Sequence, residues 1–316
     1  MKLQTKIPLL AEQHQIDYKS RLVLLGSCFT THIGKKLDYY KFPLFQNPLG
    51  ILFHPVAIEN VIVRACKQEE VTEEALGFQN EHWYCFDAHS DLNSVSKTDL
   101  LTRVNRGLEA TYQHIASASH IIITLGTAWV YRFTKTGALV ANCHKVPQKE
   151  FSKELLSSDA IAKSLKNSLH QIKSINPNAT VIFTVSPVRH LKDGFVENQR
   201  SKAHVISAVH QTINTHNASY FPSYEIMMDE LRDYRFYETD MIHPNTLAID
   251  YIWEKFRNVW IAEGAYPAMD QVASVQKDLG HKAFHSQSQQ HQKFLKSLAK
   301  KITYLKETYP FMQFDE

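Results

Sequence analysis

The sequence predicts a three-layer α/β/α protein, in which helices cover both faces of a mostly parallel, five-stranded sheet, followed by a helical C-terminal extension. Residues 120–125 (HIIITL) and 180–185 (TVIFTV) are continuous runs rich in β-branched side chains. Such runs are typical of strands that are buried on both faces of a parallel sheet. Helical patterns separate the strand-like runs, and this alternation indicates parallel strands joined by helices.

The five predicted strands lie at residues 22–25, 44–46, 120–125, 180–185 and, with a weaker pattern, 219–221. Helices are predicted at about 30–40, 56–68, 98–117, 152–174, 198–216 and 246–261. Parallel α/β sheets bind their ligands beyond the carboxyl ends of the strands. Cys28, Gly126 and Ser186 all follow predicted strand ends, so we expect a single site at that edge.

Two insertions interrupt the alternation, at about 77–97 and 129–148, and the second is typical of a hairpin with its turn near 135–137. Both adjoin strand ends and are expected to form walls of the site. We therefore predict one domain over 1–263 and a helical extension over 264–316, with a helix at about 285–308.

The composition is that of a folded globular protein, with 316 residues, 44% of them hydrophobic and 21% charged. The net charge of +3 comes from interspersed charges, so no basic stripe indicates nucleic acid binding. Neither a signal-peptide core nor an apolar stretch long enough to span a membrane is present. The four cysteines lack C-x-x-C spacing, which favours a reducing, cytoplasmic environment.

The segment Gly26-Ser27-Cys28 stands between a predicted strand and a predicted helix. Glycine permits the tight turn, and the following side chain is then held at the edge of the sheet beside the free N–H groups of the helix. A thiol at this position is expected to ionise more easily than free cysteine and to act as a nucleophile. The alternative is a structural turn with a half-buried cysteine.

A second segment, Asp240-Met-Ile-His243, precedes the last predicted helix of the domain, and Asn245 or Thr246 can cap that helix. A carboxylate three residues before a histidine can accept the Nδ1–H of the ring, which leaves Nε2 as a base. The alternative is an exposed aspartate beside a surface histidine.

Together, the two segments resemble the SGNH (GDSL-type) hydrolase superfamily and, within it, the GSCFA family, which is named for the stretch present here as Gly26-Ser27-Cys28-Phe29. The resemblance covers roughly residues 1–260 and implies a flavodoxin-like sheet. It places Cys28 on the nucleophilic serine of the superfamily and Asp240 and His243 on its last motif. Ser27 is the rival nucleophile, one residue off by alignment.

The resemblance also implies the residues that stabilise the oxyanion of the reaction. Asn47 and Gly50, in Asn-Pro-Leu-Gly, match the second motif of the superfamily. The third motif is matched only by Gly126, followed by Thr127, because Ala128 stands where the superfamily has an oxyanion-binding asparagine.

Other polar residues are candidates for contact with substrate. Asn142 and His144, at the end of the predicted hairpin, could compensate for the missing asparagine. Arg189 is a candidate clamp for an anionic group and His89 for a wall of the site; ordinary structural roles remain open for all four. Cys85 and His89 could form a zinc site together with Cys143 and His144, which are consecutive in the sequence. This spacing is not typical of zinc ligands, so no metal or cofactor is predicted.

The sequence thus predicts an acyl ester hydrolase or acyltransferase with a Cys28–His243–Asp240 triad and a covalent acyl-enzyme intermediate. The expected partner is a small-molecule or glycan acyl ester, not a nucleic acid or a membrane. The alternative is a binding protein that kept the fold without the activity, and a metal-supported enzyme is the third hypothesis.

Overall fold

The computed structural model describes residues 4–214, 218–281 and 288–314. The strands of this part of the chain are β1 (Leu22–Gly26), β2 (Leu44–Gln46), β3 (Leu76–Gln79), β4 (His82–Cys85), β5 (His120–Leu125), β6 (Trp129–Phe133), β7 (Leu139–Val140), β8 (Phe151–Leu155), β9 (Thr180–Val185) and β10 (Ser219–Phe221). The α-helices are α1 (Cys28–Tyr39), α2 (Pro55–Lys67), α3 (Lys97–Ser117), α4 (Ser158–Ile175), α5 (Phe195–Ile213), the single turn α6 (Ser223–Glu225), α7 (Thr246–Trp260), α8 (Tyr266–Leu279) and α9 (Gln289–Thr308).

The central sheet has the order β10-β9-β5-β1-β2, and every neighbouring pair in it is parallel. Counting only its five strands in chain order, this is the flavodoxin-like order 2-1-3-4-5, so the predicted fold class is confirmed. The order reverses between β1 and β5, and ligands of such sheets bind in the crevice beyond this switch point. Cys28 and Gly126 follow these two strands.

The two faces of the sheet bury separate clusters of apolar side chains. Side chains alternate across a strand, so Val23 and Leu25 of β1 join one cluster and Leu22 and Leu24 the other. The first cluster includes side chains from α2, α3, α4 and α5, and the second includes side chains from α1, α7, α8 and α9. The C-terminal helices therefore pack in the same apolar layer as α1, the helix that begins at Cys28.

The insertions contain more strand than the sequence patterns predict. β6, β7 and β8 form a three-stranded antiparallel sheet, so residues 152–155, predicted as the start of a helix, belong to a strand instead. Pairing with β6 holds this segment extended, and Ser157 then caps α4 by accepting the N–H of Ala160. β3 and β4 form an antiparallel hairpin inside the other insertion.

The remaining helices agree with their predictions to within about three residues, except at two ends that the structure does not fully describe. Positions 215–216 of the helix predicted at 198–216 and positions 285–287 of the helix predicted at 285–308 lie outside the described residues. The boundary at 263 between domain and extension stays a prediction.

Candidate active site

The turn between β1 and α1 requires glycine at position 26. Gly26 has φ +140°, and a Cβ at this position would lie 2.2 Å from the carbonyl oxygen of Thr124 on β5. The N–H of Ser27 donates to the same oxygen at 3.1 Å. A side chain at position 26 would collide with this oxygen, so glycine lets the chain turn sharply and begin α1 at Cys28.

The Cys28 thiol is half-buried at the first position of α1. Burial raises its pKa, while the Lys202 ammonium and the backbone N–H groups of Phe29 and Cys28 oppose that shift. The predicted lowering of the pKa is wrong in its net direction, because desolvation of the sulfur outweighs the helix N-terminus. Cys28 therefore needs a proton acceptor to become a thiolate at neutral pH.

Ser27, the rival nucleophile, is buried, with 1% of its surface exposed. Its Oγ makes no hydrogen bond within the described residues. A nucleophile needs a path to the substrate and a group that takes its proton. Both observations favour Cys28, whose side chain is more accessible.

Asp240 and His243 form a hydrogen-bonded pair on the loop that leads into α7. Asp240 Oδ2 lies 2.6 Å from Nδ1 of His243, and Oδ1 accepts the N–H groups of Ile242 and His243 at 2.8 and 3.0 Å. These hydrogen bonds lower the pKa of Asp240 to about 2, and the bond from the His243 ring has the largest effect. An ionised carboxylate only accepts hydrogen bonds, so Nδ1 carries the ring proton and Nε2 is left as the base.

His243 acts electrostatically on α1, at His32. His32 is four residues after Cys28, hence about one helical turn further along the same face of α1. Burial lowers the pKa of His32 most, and the charges of Lys35 and His243 lower it further, which places His243 near this face. No hydrogen bond joins Cys28 Sγ to His243 in the described part of the chain. Catalytic hydrogen bonds of this kind often tighten only when the substrate is bound.

Asn47 and Gly50 lie in the loop after β2. Asn47 Oδ1 accepts the N–H of Gly26 at 2.8 Å, and Asn47 Nδ2 is buried without a hydrogen-bond partner among the described residues. The N–H of Gly50, in contrast, donates to the Asn47 carbonyl at 2.9 Å. The Gly50 N–H is thus used inside the turn, and the Asn47 amide is the donor that this loop leaves free.

His89 lies against the same turn, since a Cβ at Gly50 (φ +79°) would be 2.4 Å from the Cβ of His89. His89 N donates to the Leu49 carbonyl at 2.8 Å, and its Nδ1 accepts the N–H of Asp91 at 3.3 Å. The insertion over 77–97 is therefore anchored to the Asn47–Gly50 turn through His89.

Gly126 and Thr127 are hydrogen-bonded to two other segments of the chain, at Phe53 and at Ser201 of α5. Their N–H groups donate to the Phe53 carbonyl at 2.7 and 3.1 Å. Thr127 Oγ1 pairs with Ser201 Oγ at 2.8 Å, and the N–H of Ala128 donates to the same Ser201 oxygen at 2.7 Å. These contacts attach the loop after β5 to α5. The hydroxyl of Thr127 is hydrogen-bonded to Ser201 of the same chain.

Asn142 and His144 pack within the insertions. The His144 ring stacks on Tyr84 with centroids 4.9 Å apart, and Asn142 Oδ1 accepts the N–H of His144 at 2.8 Å. Burial lowers the pKa of His144 to about 4. No hydrogen bond or ring contact joins either side chain to Cys28 within the described residues, so their compensation for Ala128 stays a prediction.

Arg189 binds the loop that carries His243. Its backbone N–H donates to the Ile242 carbonyl at 3.2 Å, and Nη1 of its side chain donates to the Met241 carbonyl at 3.0 Å. The guanidinium lies over the rings of Phe195, Tyr234 and Tyr237, at 5.2–5.7 Å from their centroids. These contacts make Arg189 a positioning residue for the Asp240–His243 loop, and a role as an anion clamp stays a prediction.

The sequence patterns missed Lys202 on α5. Its side chain is fully buried, and Nζ donates to the carbonyls of Gly126 at 2.7 Å and Ser186 at 2.6 Å, just beyond β5 and β9. Burial lowers its pKa to about 7. The signal was available, because Lys202 interrupts the apolar face that continues at Val205 and Val209.

His190 was also missed, although it directly follows Arg189. Its Nε2 is buried without a hydrogen-bond partner among the described residues and lies 3.2 Å from where a Cβ on Gly126 would be. Burial first, and then the charges of Lys202 and His243, lower its pKa to about 3. A neutral imidazole therefore stands between the loop after β5 and the catalytic candidate His243.

The described residues contain no group of three or more His, Cys, Asp or Glu side chains close enough to bind a metal ion. Over the same residues, no helix has the length and apolar character needed to cross a membrane.

Fold and site define the class: an α/β/α protein of flavodoxin-like strand order, with a cysteine at the switch point and an Asp–His pair at the same edge. The model of the GSCFA family matches residues 21–256, and the model of the GSCFA domain protein, C-terminal domain, matches residues 272–316. The chain therefore belongs to the GSCFA family.

No curated protein matches the sequence. Among solved structures, the chain is similar to an acetyl xylan esterase, Est2A, from the rumen bacterium Butyrivibrio proteoclasticus, with 12% identity over 77% of this chain. The match spans 65% of the esterase chain, and the TM-score is 0.36. A likeness of this size carries no argument about activity.

Proposed function

We propose that the chain is an acyl ester hydrolase or acyltransferase of the SGNH superfamily, with Cys28 as the nucleophile and His243 as the base. The observation that carries the proposal is the hydrogen-bonded Asp240–His243 pair, whose charge acts on His32, one turn after Cys28, and whose Nε2 makes no hydrogen bond within the described residues. This is the arrangement of an orienting carboxylate, a base and a nucleophile that acyl transfer requires.

In the first half of the reaction, the Cys28 thiolate attacks the ester carbonyl, and the C=O electron pair moves onto oxygen. Collapse of this tetrahedral species forms the thioester and breaks the bond to the alcohol, which takes a proton from the His243 imidazolium that the second half of the preceding cycle left. In the second half, Nε2 of His243 takes a proton from water or from an acceptor hydroxyl, which attacks the thioester. The thiolate then leaves, and the acid or the new ester is released.

Asp240 supports both halves of the reaction. Its carboxylate stays ionised at neutral pH, since its pKa is about 2, and it stabilises the imidazolium that forms at His243. The developing oxyanion needs donors about 3 Å away, and each one supplies roughly 10²–10³ in rate. We assign this role to the backbone N–H of Cys28 and to Nδ2 of Asn47, which is buried and unpaired within the described residues.

The open position of the site supports a bulky acceptor such as a glycan. The side chains of His243 and Asp240 are 42% and 44% exposed. Phe195 and Tyr234, whose rings flank Arg189 beside this loop, are 64% and 63% exposed and offer flat apolar faces to a substrate. We propose an O-acylated glycan or a small acyl ester as the substrate.

A thiol nucleophile also suits a reducing compartment. Cys28, Cys66, Cys85 and Cys143 are all free. Disulfides are rare in the cytosol, where thiols stay reduced. We propose the cytoplasm as the location.

The second candidate is a binding protein without catalysis. Two observations favour it: the Gly50 N–H is used inside its own turn, and Ala128 stands where the superfamily has its asparagine. An incomplete oxyanion site forfeits several kcal/mol of transition-state stabilisation.

Trapping the acyl-enzyme decides between the two candidates. The protein is mixed with p-nitrophenyl acetate and quenched in acid, and its peptides are fragmented in a mass spectrometer. We expect the acetyl group on Cys28 in the wild type and no adduct in Cys28→Ala. Cys143→Ala, which removes another half-buried thiol, is the matched control and should acylate normally. Absence of both turnover and adduct would instead support the binding protein.

A further inference from the structure

Lys202 is a buried amine that, within the described residues, makes two hydrogen bonds and is bonded to no carboxylate. Its Nζ donates to the carbonyls of Gly126 and Ser186, and 1% of the residue is exposed. Lysine is almost never fully buried unless it is paired. This placement therefore needs an explanation beyond packing.

The sheet register puts this amine at the same edge of the sheet as Cys28. Gly26 of β1 is paired with Thr124 of β5, and Cys28 and Gly126 each lie two residues beyond that pair. Lys202 bonds the Gly126 carbonyl, so its Nζ lies at the switch point where Cys28 begins α1. The electrostatic effect is mutual: Lys202 lowers the pKa of the thiol, and Cys28 raises the pKa of the amine.

Groups on other elements also face Lys202. Tyr224 of α6 has its ring centroid 5.4 Å from Nζ, and Glu225, next to it, raises the pKa of Lys202. The carboxylate of Glu225 accepts the hydroxyl of Tyr220 at 2.8 Å. His190, after β9, stays neutral because burial and the nearby charges lower its pKa to about 3. Of these groups, Cys28 is the one whose pKa and that of the amine are linked reciprocally.

The count of donors fits a neutral amine. A neutral lysine has two N–H donors and one lone pair. The two donors match the two carbonyls, and the lone pair is left as an acceptor. Burial favours this neutral form.

We propose that Lys202 is the resident proton acceptor of Cys28, so that the thiol is activated by a buried amine rather than by His243. In this step the S–H bond breaks, its proton joins the lone pair of Nζ, and the pair becomes thiolate and ammonium. The ammonium then stabilises the thiolate that attacks and that later leaves. The assignment rests on the proposed nucleophile. His243 then donates a proton to the leaving alcohol and accepts one from the incoming water.

The proposal predicts a coupled titration. The doubly protonated pair of thiol and ammonium loses one proton near neutral pH, and the remaining proton is shared between sulfur and nitrogen. The charge of the amine opposes the rise that burial causes, so the thiolate becomes available at a lower pH than the buried sulfur alone would allow. Without the amine, burial acts unopposed by that charge, and the half-buried thiol is expected to ionise at a higher pH than in the wild type.

The test is the rate of Cys28 alkylation by iodoacetamide between pH 5.5 and 10, followed by peptide mass spectrometry. We expect the rate of Lys202→Met to rise at a higher pH than that of the wild type and, at pH 7.5, to be about one tenth of the wild-type rate or less, for a pKa shift of one unit or more. Lys173→Met is the matched control, because Lys173 Nζ also donates to two backbone carbonyls, those of Pro177 and Ala179, before β9 at the opposite edge. Its profile should equal that of the wild type.

A reciprocal titration keeps the proposal testable if Lys202→Met does not fold. The Lys202 signal in protein labelled with [ε-¹³C]lysine is followed by NMR in the wild type and in Cys28→Ser. We expect Lys202 to titrate at lower pH in Cys28→Ser, because the thiolate that raises its pKa is gone. An unchanged Lys202 titration, or an unchanged alkylation profile in folded Lys202→Met, would overturn the proposal. If these shifts appear but p-nitrophenyl acetate is not turned over, the proton acceptor stands and the proposed enzyme function fails.

Discussion

Asp240 Oδ2 lies 2.6 Å from Nδ1 of His243, while Oδ1 of the same carboxylate accepts the N–H of Ile242. One carboxylate thus shapes the loop and sets the tautomer of the ring. Arg189, which bonds the carbonyl of Met241, holds the loop from the other side. The orientation of the histidine is therefore determined by its own loop, before any substrate binds.

Asp240→Asn should lower turnover of p-nitrophenyl acetate strongly, because an amide can stabilise the wrong tautomer and cannot stabilise the imidazolium. The same change in serine-protease triads costs about 10⁴ in turnover. Asp233→Asn is the matched control, since Asp233 Oδ1 likewise accepts a backbone N–H two residues on, that of Arg235, at 2.8 Å. Equal effects of the two substitutions would show that only loop structure is involved.

Cys28→Ala should abolish turnover, while Ser27→Ala should leave a measurable fraction. Cys28 is half-buried at the start of α1, whereas Ser27 is 1% exposed and has no hydrogen-bonded base among the described residues. Steady-state rates with p-nitrophenyl acetate measure both effects, and circular dichroism checks the fold of each variant. The opposite ranking of the two variants would make Ser27 the nucleophile.

Asn47→Asp should lower kcat by roughly 10²–10³, since it removes the unpaired Nδ2 donor and keeps an oxygen for the N–H of Gly26. Asn105→Asp is the control, because Asn105 Oδ1 likewise accepts a backbone N–H, that of Val71, while its Nδ2 is already used by the Val71 carbonyl. Unchanged kcat in folded Asn47→Asp would remove the Asn47 amide from the oxyanion site. The corresponding test of the hairpin is Asn142→Ala.

Stability should fall as the pH drops from about 6.5 towards 4. Burial lowers the pKa of His54 and His144 to about 4 and that of His190 to about 3. In this range the unfolded chain binds protons that the folded chain does not, so the free energy of unfolding decreases with acidification. Each histidine contributes at most about 1.4 kcal/mol per pH unit.

Urea unfolding at several pH values measures this slope in the wild type and in His144→Phe. Phenylalanine keeps a ring to stack on Tyr84 but cannot bind a proton, so its slope should be lower by up to one histidine's share. The exposed His82→Gln is the control and should keep the wild-type slope. A slope unchanged in His144→Phe would contradict the assignment of His144 as a buried, neutral ring.

The sheet was predictable because its strands are buried on both faces and therefore read as continuous apolar runs in the sequence. All five predicted runs are strands of the observed sheet, and their order brings the Gly26 turn and Gly126 to one edge. The hydrogen bond between Asp240 and His243 was predictable for a different reason: its partners are three residues apart, and local spacing determines their contact.

Contacts between distant segments were not predictable in the same way. The strand β8 forms because β6, about 20 residues earlier, offers a free edge, and a local pattern does not contain that information. Likewise, the position of Cys28 at a helix N-terminus predicts a lowered pKa. The folded chain buries the sulfur, however, and burial raises that pKa instead.

The sequence by itself determined the class of fold, the turn at Gly26 and the pairing of Asp240 with His243. The turn and the pairing depend on neighbouring residues, and the buried strands that define the fold class appear in the sequence as continuous apolar runs. Only the tertiary structure decided that Lys202 bonds the carbonyls of Gly126 and Ser186, that His190 rather than Arg189 faces Gly126, and that the N–H of Gly50 is used in its own turn. Desolvation and hydrogen bonding depend on every element packed around a group, so the protonation state of the site arises only when the sheet and its helices come together.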